Sequence, residues 1–403
     1  METYKGDFFE IFGTLEDIRQ EEKVKHKLVD ILFLVVSAVI CGCNEWKEIH
    51  LWASWESNVK WLKKYIELEN GTPSLATIGR LFNIIDPKQF EKCFIDWMRA
   101  AVKLGKKEVI AIDGKTMRGS QEKAKDQKGA HIVSALCSSY NLVLGQVKTE
   151  EKSNEITAIP ELLDLLFIEG CIVTIDAMGA QKKIAKKIVK DNKADYVLNL
   201  KENQETLHQE VTEYFADLEK DRQLDGVKLK NEQEPVENVL NYGVLGIYRT
   251  VEKGHGRIEN RTYYYSTDID WMKEAKKEWE KLTGIGMVVR KVHFSDPGKN
   301  STVEIAFYIG SIGNVKDFAF AVRNHWKIES MHWSLDVTFG DDENRVRKGM
   351  APQNMAVLKR IAFNAVKKDT QKYPKESMKA RRFMAMGNPE YRDYLLDLNL
   401  KDR

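Results

Sequence analysis

Cysteine is scarce in this chain: five residues, an odd number, in 403. With no signal-peptide pattern at the N-terminus, that scarcity argues against a secreted disulfide scaffold and points to a reducing cytoplasm. Excess charge of one sign is also missing. Lys and Arg number 63 against 61 Asp and Glu, a net charge of +2, so a polyanionic partner must be read from the distribution of charge. A membrane-spanning run is absent too. The apolar segment Ile31 to Cys43 has 13 residues where a bilayer needs roughly 20, and Lys27, Asp30, Glu45 and Lys47 bound it, so it is expected to be a helix buried in a helical domain. Cys41 and Cys43 within it stand too close for the usual zinc spacing and read as small buried hydrophobes. No repeat of fixed period and no HExxH motif occurs, which leaves a zincin reading poor. Gly114-Lys115-Thr116 follows Val109 where a phosphate loop needs glycine, so a P-loop ATPase is rejected. What remains, 43% hydrophobic and 31% charged, describes a soluble globular protein of two or three domains.

Up to about residue 104 the pattern is helical. Ser74 is a plausible N-cap for a short helix over Leu75 to Phe82, and Phe90, Phe94 and Trp97 share one face of the next. Such helical pairs can bind DNA or simply pack. From Val109 the pattern changes to a strand, a hairpin parted by Ser139-Tyr140-Asn141, a helix from Glu155, a buried strand at Cys171 to Asp176, a basic amphipathic helix at Gln181 to Asp191, and a strand at Tyr196 to Leu200. That order, βββαβαβ, predicts an α/β fold with a mixed sheet. Between 205 and 312 a charged helix, polar linkers at Asn231 to Glu237 and three further strands read as a β-rich insertion. Helical patterns then run from Val315 through Trp333 and from Pro352 to about Lys368.

Asp113 and Asp176 each end a buried strand, where a carboxylate projects into the crevice in which α/β folds bind ligands, or else caps the following turn. A third acid, Glu329, shares a helix face with Val322, His325, His332 and Asp336, a polar stripe edged by Trp326 and Trp333. Three such carboxylates can hold two divalent cations, and oxygen ligands favour Mg²⁺ or Mn²⁺ over zinc. Between Asn344 and Arg382, twelve Lys or Arg, ending in Arg381 and Arg382, face only Asp369 and Glu376. A basic stretch beside an acidic metal site suits an enzyme acting on a nucleic-acid backbone; the alternative is a solvated tail.

Several blocks in order then carry a resemblance: Ala111 to Ser120 (AIDGKTMRGS), Thr174 to Gln181 (TIDAMGAQ), Tyr196 to Gln204 (YVLNLKENQ), His255 to Glu259 with Arg261, Arg323 to Asp342, and Pro73-Ser74 with Gly79 to Phe82. Over nearly its whole length the chain resembles the bacterial insertion-sequence transposases of DDE type, in the group that includes the H-repeat-associated proteins, with an N-terminal transposase-associated domain. The resemblance implies an RNase H-like mixed sheet core with a β-rich insertion, preceded by an all-helical N-terminal domain. The expected boundaries are 1–104 for the helical domain, 105–204 and 313–370 for the two parts of the core, 205–312 for the insertion and 371–403 for a basic tail. It also implies that Asp113, Asp176 and Glu329 form the metal-binding triad, with two Mg²⁺ or Mn²⁺ ions. Cleavage at the element's ends and strand transfer into target DNA would follow. The rivals are an RNase H-like nuclease without strand transfer and a catalytically silent DNA-binding remnant.

Lys115, Arg118, Lys201 and Arg257 are expected to contact phosphates, with Arg323, Arg381 and Arg382 also against DNA. His325 or Trp326 is expected to border the DNA end and stack on an unpaired base, or else Trp326 and Trp333 are core residues, the reading favoured for Trp333. The partner implied is double-stranded DNA, bound by a homodimer or larger assembly in the cytoplasm at the nucleoid, without a membrane. Many relatives carry Tyr-x2-Arg-x3-Glu-x6-Lys around the glutamate. Here Val322, His325 and Asp336 stand at those places and Arg323 is displaced by two, so the roles of those residues, and the hairpin pathway linked to them, are not carried over.

Overall fold

The computed structural model describes residues 8–121, 128–149, 154–220, 236–242, 244–254, 256–296 and 298–400. His255 and positions 231–235 of the expected linker lie outside them. The chain divides into two compact units, one of Met1–Leu104, Asp113–Phe167 and Lys327–Arg403, the other of Gly105–Ile112 and Ile168–Trp326.

The first unit opens with six helices: α1 (Phe8–Phe12), α2 (Leu28–Ile40), α3 (Trp46–Ser54), α4 (Glu56–Leu62), α5 (Leu75–Ile84) and α6 (Pro87–Ala101). Every residue of α2 except Val29 is buried, which accounts for a sequence apolar but for Asp30 and Ser37, and no helix among the described residues is long and apolar enough to cross a membrane. Burial pushes the thiols of Cys41 and Cys43 up to about 12, as befits inert core residues. Ser74 caps α5, its hydroxyl accepting the Thr77 N–H at 3.2 Å. Asp86 caps α6 by accepting the Gln89 N–H at 2.8 Å, and Pro87 takes the first turn, where its missing N–H costs nothing. Phe90, Phe94 and Trp97 are all buried, and the Phe12 ring meets Phe90 and Trp97 edge-on. Each such ring contributes roughly 1.5–3 kcal/mol by leaving water. The unit continues with the second half of β1 (Val109–Thr116), the hairpin of β2 (His131–Cys137) and β3 (Leu142–Lys148), and α7 (Glu155–Leu165).

The second unit holds the first half of β1, then β4 (Ile172–Ile175), α8 (Lys182–Lys190), β5 (Asp195–Leu200), α9 (Glu205–Lys220), β6 (Val236–Tyr242), β7 (Leu245–Gly254), β8 (Arg257–Ser266), α10 (Lys273–Glu278), β9 (Gly284–Phe294), β10 (Thr302–Gly310) and α11 (Val315–His325). Val109 to Ile112 pair in parallel with Ile172 to Ile175, which pair in parallel with Asp195 to Leu198. Strand order is β3-β2-β1-β4-β5-β10-β9-β8-β7-β6. An antiparallel hairpin followed by parallel strands makes this an α/β protein with an RNase H-like mixed sheet, preceded by helices. The 205–312 region is β-rich, and its strands extend the sheet: Phe307 to Gly310 of β10 pair antiparallel with Leu200 to Val197 of β5. Helix α11 packs Phe318 and Val322 against Tyr263, Tyr265 and Val288. Glycine is required at 286 because a Cβ there would collide with the Phe318 ring.

The chain then returns to the first unit with α12 (Lys327–Val337), α13 (Ala351–Lys367), α14 (Met378–Gly387) and α15 (Pro389–Leu400). Two expectations are corrected here. The pattern from Val315 to Trp333 is two helices, parted at Trp326, whose N–H turns back to the Asn324 carbonyl. The stretch expected to be a basic tail forms α14 and α15, with Arg381 and Arg382 buried. Arg381 donates to the carbonyls of Val366, Asp369, Tyr373 and Pro374. Arg382 donates to the Val39 carbonyl at 2.8 Å, the Asn44 side-chain oxygen at 2.7 Å and the Thr338 carbonyl, and lies 4.0 Å over the Phe339 ring. These guanidiniums satisfy orphan carbonyls inside the fold and are not available to DNA.

Candidate active site

Asp113 and Asp176 are the residues that follow Ile112 and Ile175, the last pair of the parallel ladder between β1 and β4. Within the first unit, the carboxylates of Asp113 and Glu155 lie within 4.8 Å of one another. The Asp176 carboxylate also accepts the Gly179 N–H at 3.2 Å, so it caps its turn as well. Glu155 opens α7, directly after its N-cap Asn154, which accepts the Ile156 N–H at 3.0 Å. His131, the first residue of β2, places Nε2 at 2.8 Å from Glu155 Oε1 and Nδ1 at 2.8 Å from Thr116 Oγ1. Glycine is required at 114 because a Cβ there would collide with both Glu155 Oε1 and His131 Nε2. Ionised carboxylates this close repel by roughly 3 kcal/mol per pair at an effective dielectric near 20, an arrangement that a cation relieves.

Helix α12 approaches the same strand end. His332 is buried, its Nδ1 lies 3.5 Å from Asp113 Oδ2, and its Nε2 has no hydrogen-bond partner among the described residues. Burial, helped by the charges of Arg360 and Lys115, pulls its pKa down to about 3, so the ring is neutral. One turn along, Asp336 pairs with Lys115, whose Nζ also lies 3.4 Å from Asp342. Burial raises the Asp336 pKa against the pull of Lys115. Behind these, Lys359 and Asp341 form a fully buried ion pair at 2.9 Å. Glu329 stands on the first turn of α12, exposed and not among the acids gathered at Asp113, with partial desolvation of its carboxyl raising its pKa. The neighbouring carboxylates of Asp113 and Glu155 offer oxygen alone, the donor set that a hard divalent cation prefers.

The cations expected to meet phosphate are placed unevenly. The Arg118 side chain is 83% exposed and lines a groove of about 920 Å³ with Trp46, Lys47, Arg345 and Arg347. Lys201 is exposed at the end of β5. Lys115, by contrast, is buried in its two ion pairs. Arg257 is half-exposed with Nε 2.6 Å from Glu259, and Arg323 grips Glu252 through two hydrogen bonds of 2.7 and 2.8 Å. His325 turns inward, Nδ1 3.0 Å from Thr174 Oγ1, and burial pulls its pKa down to about 4, so the expectation that it borders a DNA end is corrected. The core reading of the indoles is corrected as well: Trp326 is 47% and Trp333 62% exposed. Glu155 was missed by sequence reasoning because an acid in the first turn of a helix reads as a partner of the helix dipole. No spacing links it to Asp113.

A mixed sheet with the strand order described above, carrying an acid directly after each of two adjacent strands' paired residues, is the setting of a nucleic-acid-processing fold class, and the chain belongs to the family described as the transposase DDE domain, which it matches over residues 104–365. Residues 9–98 match the DDE_Tnp_1-associated family. The chain is 43% identical over 357 residues to "Putative transposase YncI" of Escherichia coli O157:H7, covering 88% of this chain and 86% of that protein. It is 38% identical over 363 residues to "H repeat-associated putative transposase YhhI" of Escherichia coli strain K12, covering 89% and 90%. A solved piggyBac transposase synaptic complex with hairpin DNA aligns at a TM-score of 0.40 and 10% identity, over 98% of this chain and 77% of that one.

Proposed function

We propose that this transposase cleaves DNA at the ends of its element and joins the freed 3′ hydroxyl to target DNA, using divalent cations held by Asp113, Asp176 and Glu329. The observation that carries the reading is that Asp113 and Asp176 each directly follow the last pair, Ile112 and Ile175, of one parallel strand ladder. Support for Glu329 is its position three residues before His332, whose Nδ1 lies 3.5 Å from Asp113 Oδ2, since residues three apart on a helix are neighbours. Bound Mg²⁺ or Mn²⁺ would supply charge stabilisation to both the attacking and the leaving oxygen of an in-line displacement. The chain itself binds and orients the DNA. Arg118, Lys201 and Arg257 hold phosphates, and exposed Trp326 stacks on an unpaired base at the DNA end. The assembly on DNA is a homodimer or larger, acting in the cytoplasm at the nucleoid.

A second reading, hydrolysis without strand transfer, draws on one observation: in the first unit Asp113 has a carboxylate neighbour, Glu155, that is not Glu329. The test incubates the full chain with linear DNA bearing the element's ends, a supercoiled target and Mg²⁺. End cleavage with joined products supports transposition. Cleavage without joining supports the nuclease, and no cleavage with either Mg²⁺ or Mn²⁺ overturns both.

A further inference from the structure

We infer that Glu155 is a further metal-binding carboxylate of this site, beyond the acidic triad, and that His131 is the positioning residue that holds it there. The inference rests on the proposed metal-dependent reading. Within the first unit, Glu155 and Asp113 come from elements with no local link: one opens α7, the other lies inside β1. What joins them is the hairpin. His131 at the start of β2 takes Thr116 of β1 through Nδ1 and Glu155 through Nε2, each at 2.8 Å, so the ring bridges the strand that bears Asp113 to the helix that bears Glu155. The bridge crosses directly over Gly114, the residue after Asp113, where a Cβ would strike both partners.

A capping or dipole role does not account for this placement. Asn154 already caps α7, and a surface acid would serve the helix dipole equally well, whereas the Glu155 side chain is only 11% exposed and turned toward Asp113. A second observation points to a ligand. His332, nine-tenths buried, turns its ring toward Asp113, with Nδ1 3.5 Å from Asp113 Oδ2, and the ring's buried Nε2 has no hydrogen-bond partner among the described residues. A carboxylate ligand is ordinarily oriented by a hydrogen-bond donor behind it, and His131 stands in that position toward Glu155.

The test is calorimetric titration of the full, DNA-free chain with Mn²⁺, each variant first melted without metal to establish folding. Glu155→Gln and His131→Ala are each expected to weaken Mn²⁺ binding by about 10–100-fold. His131→Gln, which keeps a donor near the Nε2 position, is expected to bind within about threefold of the unaltered chain, a rescue that a merely structural histidine would not give. Should Glu155→Gln fail to fold, His131→Ala and its rescue still decide the matter, because Glu155 is then intact. Unchanged Mn²⁺ affinity in Glu155→Gln or His131→Ala, with binding lost in Asp113→Asn, would overturn this inference and leave the proposed metal site standing. No Mn²⁺ binding by the unaltered chain would overturn both.

Discussion

His332 Nδ1 lies 3.5 Å from Asp113 Oδ2, so α12 meets the end of β1 through a histidine that burial keeps neutral. The turn that presents this histidine also carries Asp336 to Lys115. Lys115 is thereby held in two ion pairs, with Asp336 and Asp342.

Gly114→Ala forces a methyl into the His131–Glu155 bridge. The expected cost is about 1–3 kcal/mol of folding stability, as for other overpacked sites. Urea unfolding should show part of that loss recovered in Gly114→Ala/His131→Ala, because the second change removes one collision partner. Strict additivity of the two changes would show that the bridge does not govern the glycine.

Arg382→Gln strips donors from the Val39 and Thr338 carbonyls. A loss of about 3 kcal/mol or more is expected in chemical unfolding, since each buried acceptor left unsatisfied costs about 1–3 kcal/mol. The slope of log K against log salt for DNA binding should stay unchanged. A slope reduced by about one unit would restore the phosphate role that burial denies it.

Trp333→Ala and Trp326→Ala should each cost less than about 1 kcal/mol in thermal or urea melts, because neither indole is buried. If Trp326 stacks on a DNA base, its loss weakens end binding by roughly 1–3 kcal/mol in a fluorescence titration, while Trp333→Ala serves as the comparison.

The half-buried ring of His325, with a pKa of about 4, favours the folded state only while it is neutral. Its ordinary value of about 6.5 applies in the unfolded chain, so its contribution is fully present above pH 6.5 and is lost as pH falls toward 4. Between pH 7 and pH 5 this histidine alone should remove roughly 2 kcal/mol of stability. His325→Asn, which retains a polar group near Thr174, should lessen the fall by about that amount in pH-dependent melts.

Much of this fold is legible where a local rule suffices. Ser74 and the aromatic face of α6 follow from capping and helical period, and the positions of Asp113 and Asp176 follow from buried apolar runs that stop at an acid. The helix break at Trp326 does not, because both flanking segments keep helical period and a local turn alone parts them. The burial of Arg382 depends on a carbonyl 343 residues away, and a run of basic residues looks the same whether water or backbone oxygen receives its protons. Nor does pattern reveal that β10 pairs with β5 rather than folding apart, since either edge satisfies a strand's hydrogen bonds. Glu155 is the costliest omission: its partner His131 lies across a hairpin, and only the fold brings the two to Gly114.

The most direct measurement is the single-turnover rate of end cleavage in Mg²⁺ by the unaltered chain, Asp113→Asn and Asp176→Asn, with DNA affinity recorded in parallel. The account predicts that each substitution slows cleavage by at least about a thousandfold while DNA affinity stays within roughly threefold, because phosphate contacts supply most of the binding. Cleavage by either variant within tenfold of the unaltered rate would contradict a metal centre at these two strand ends.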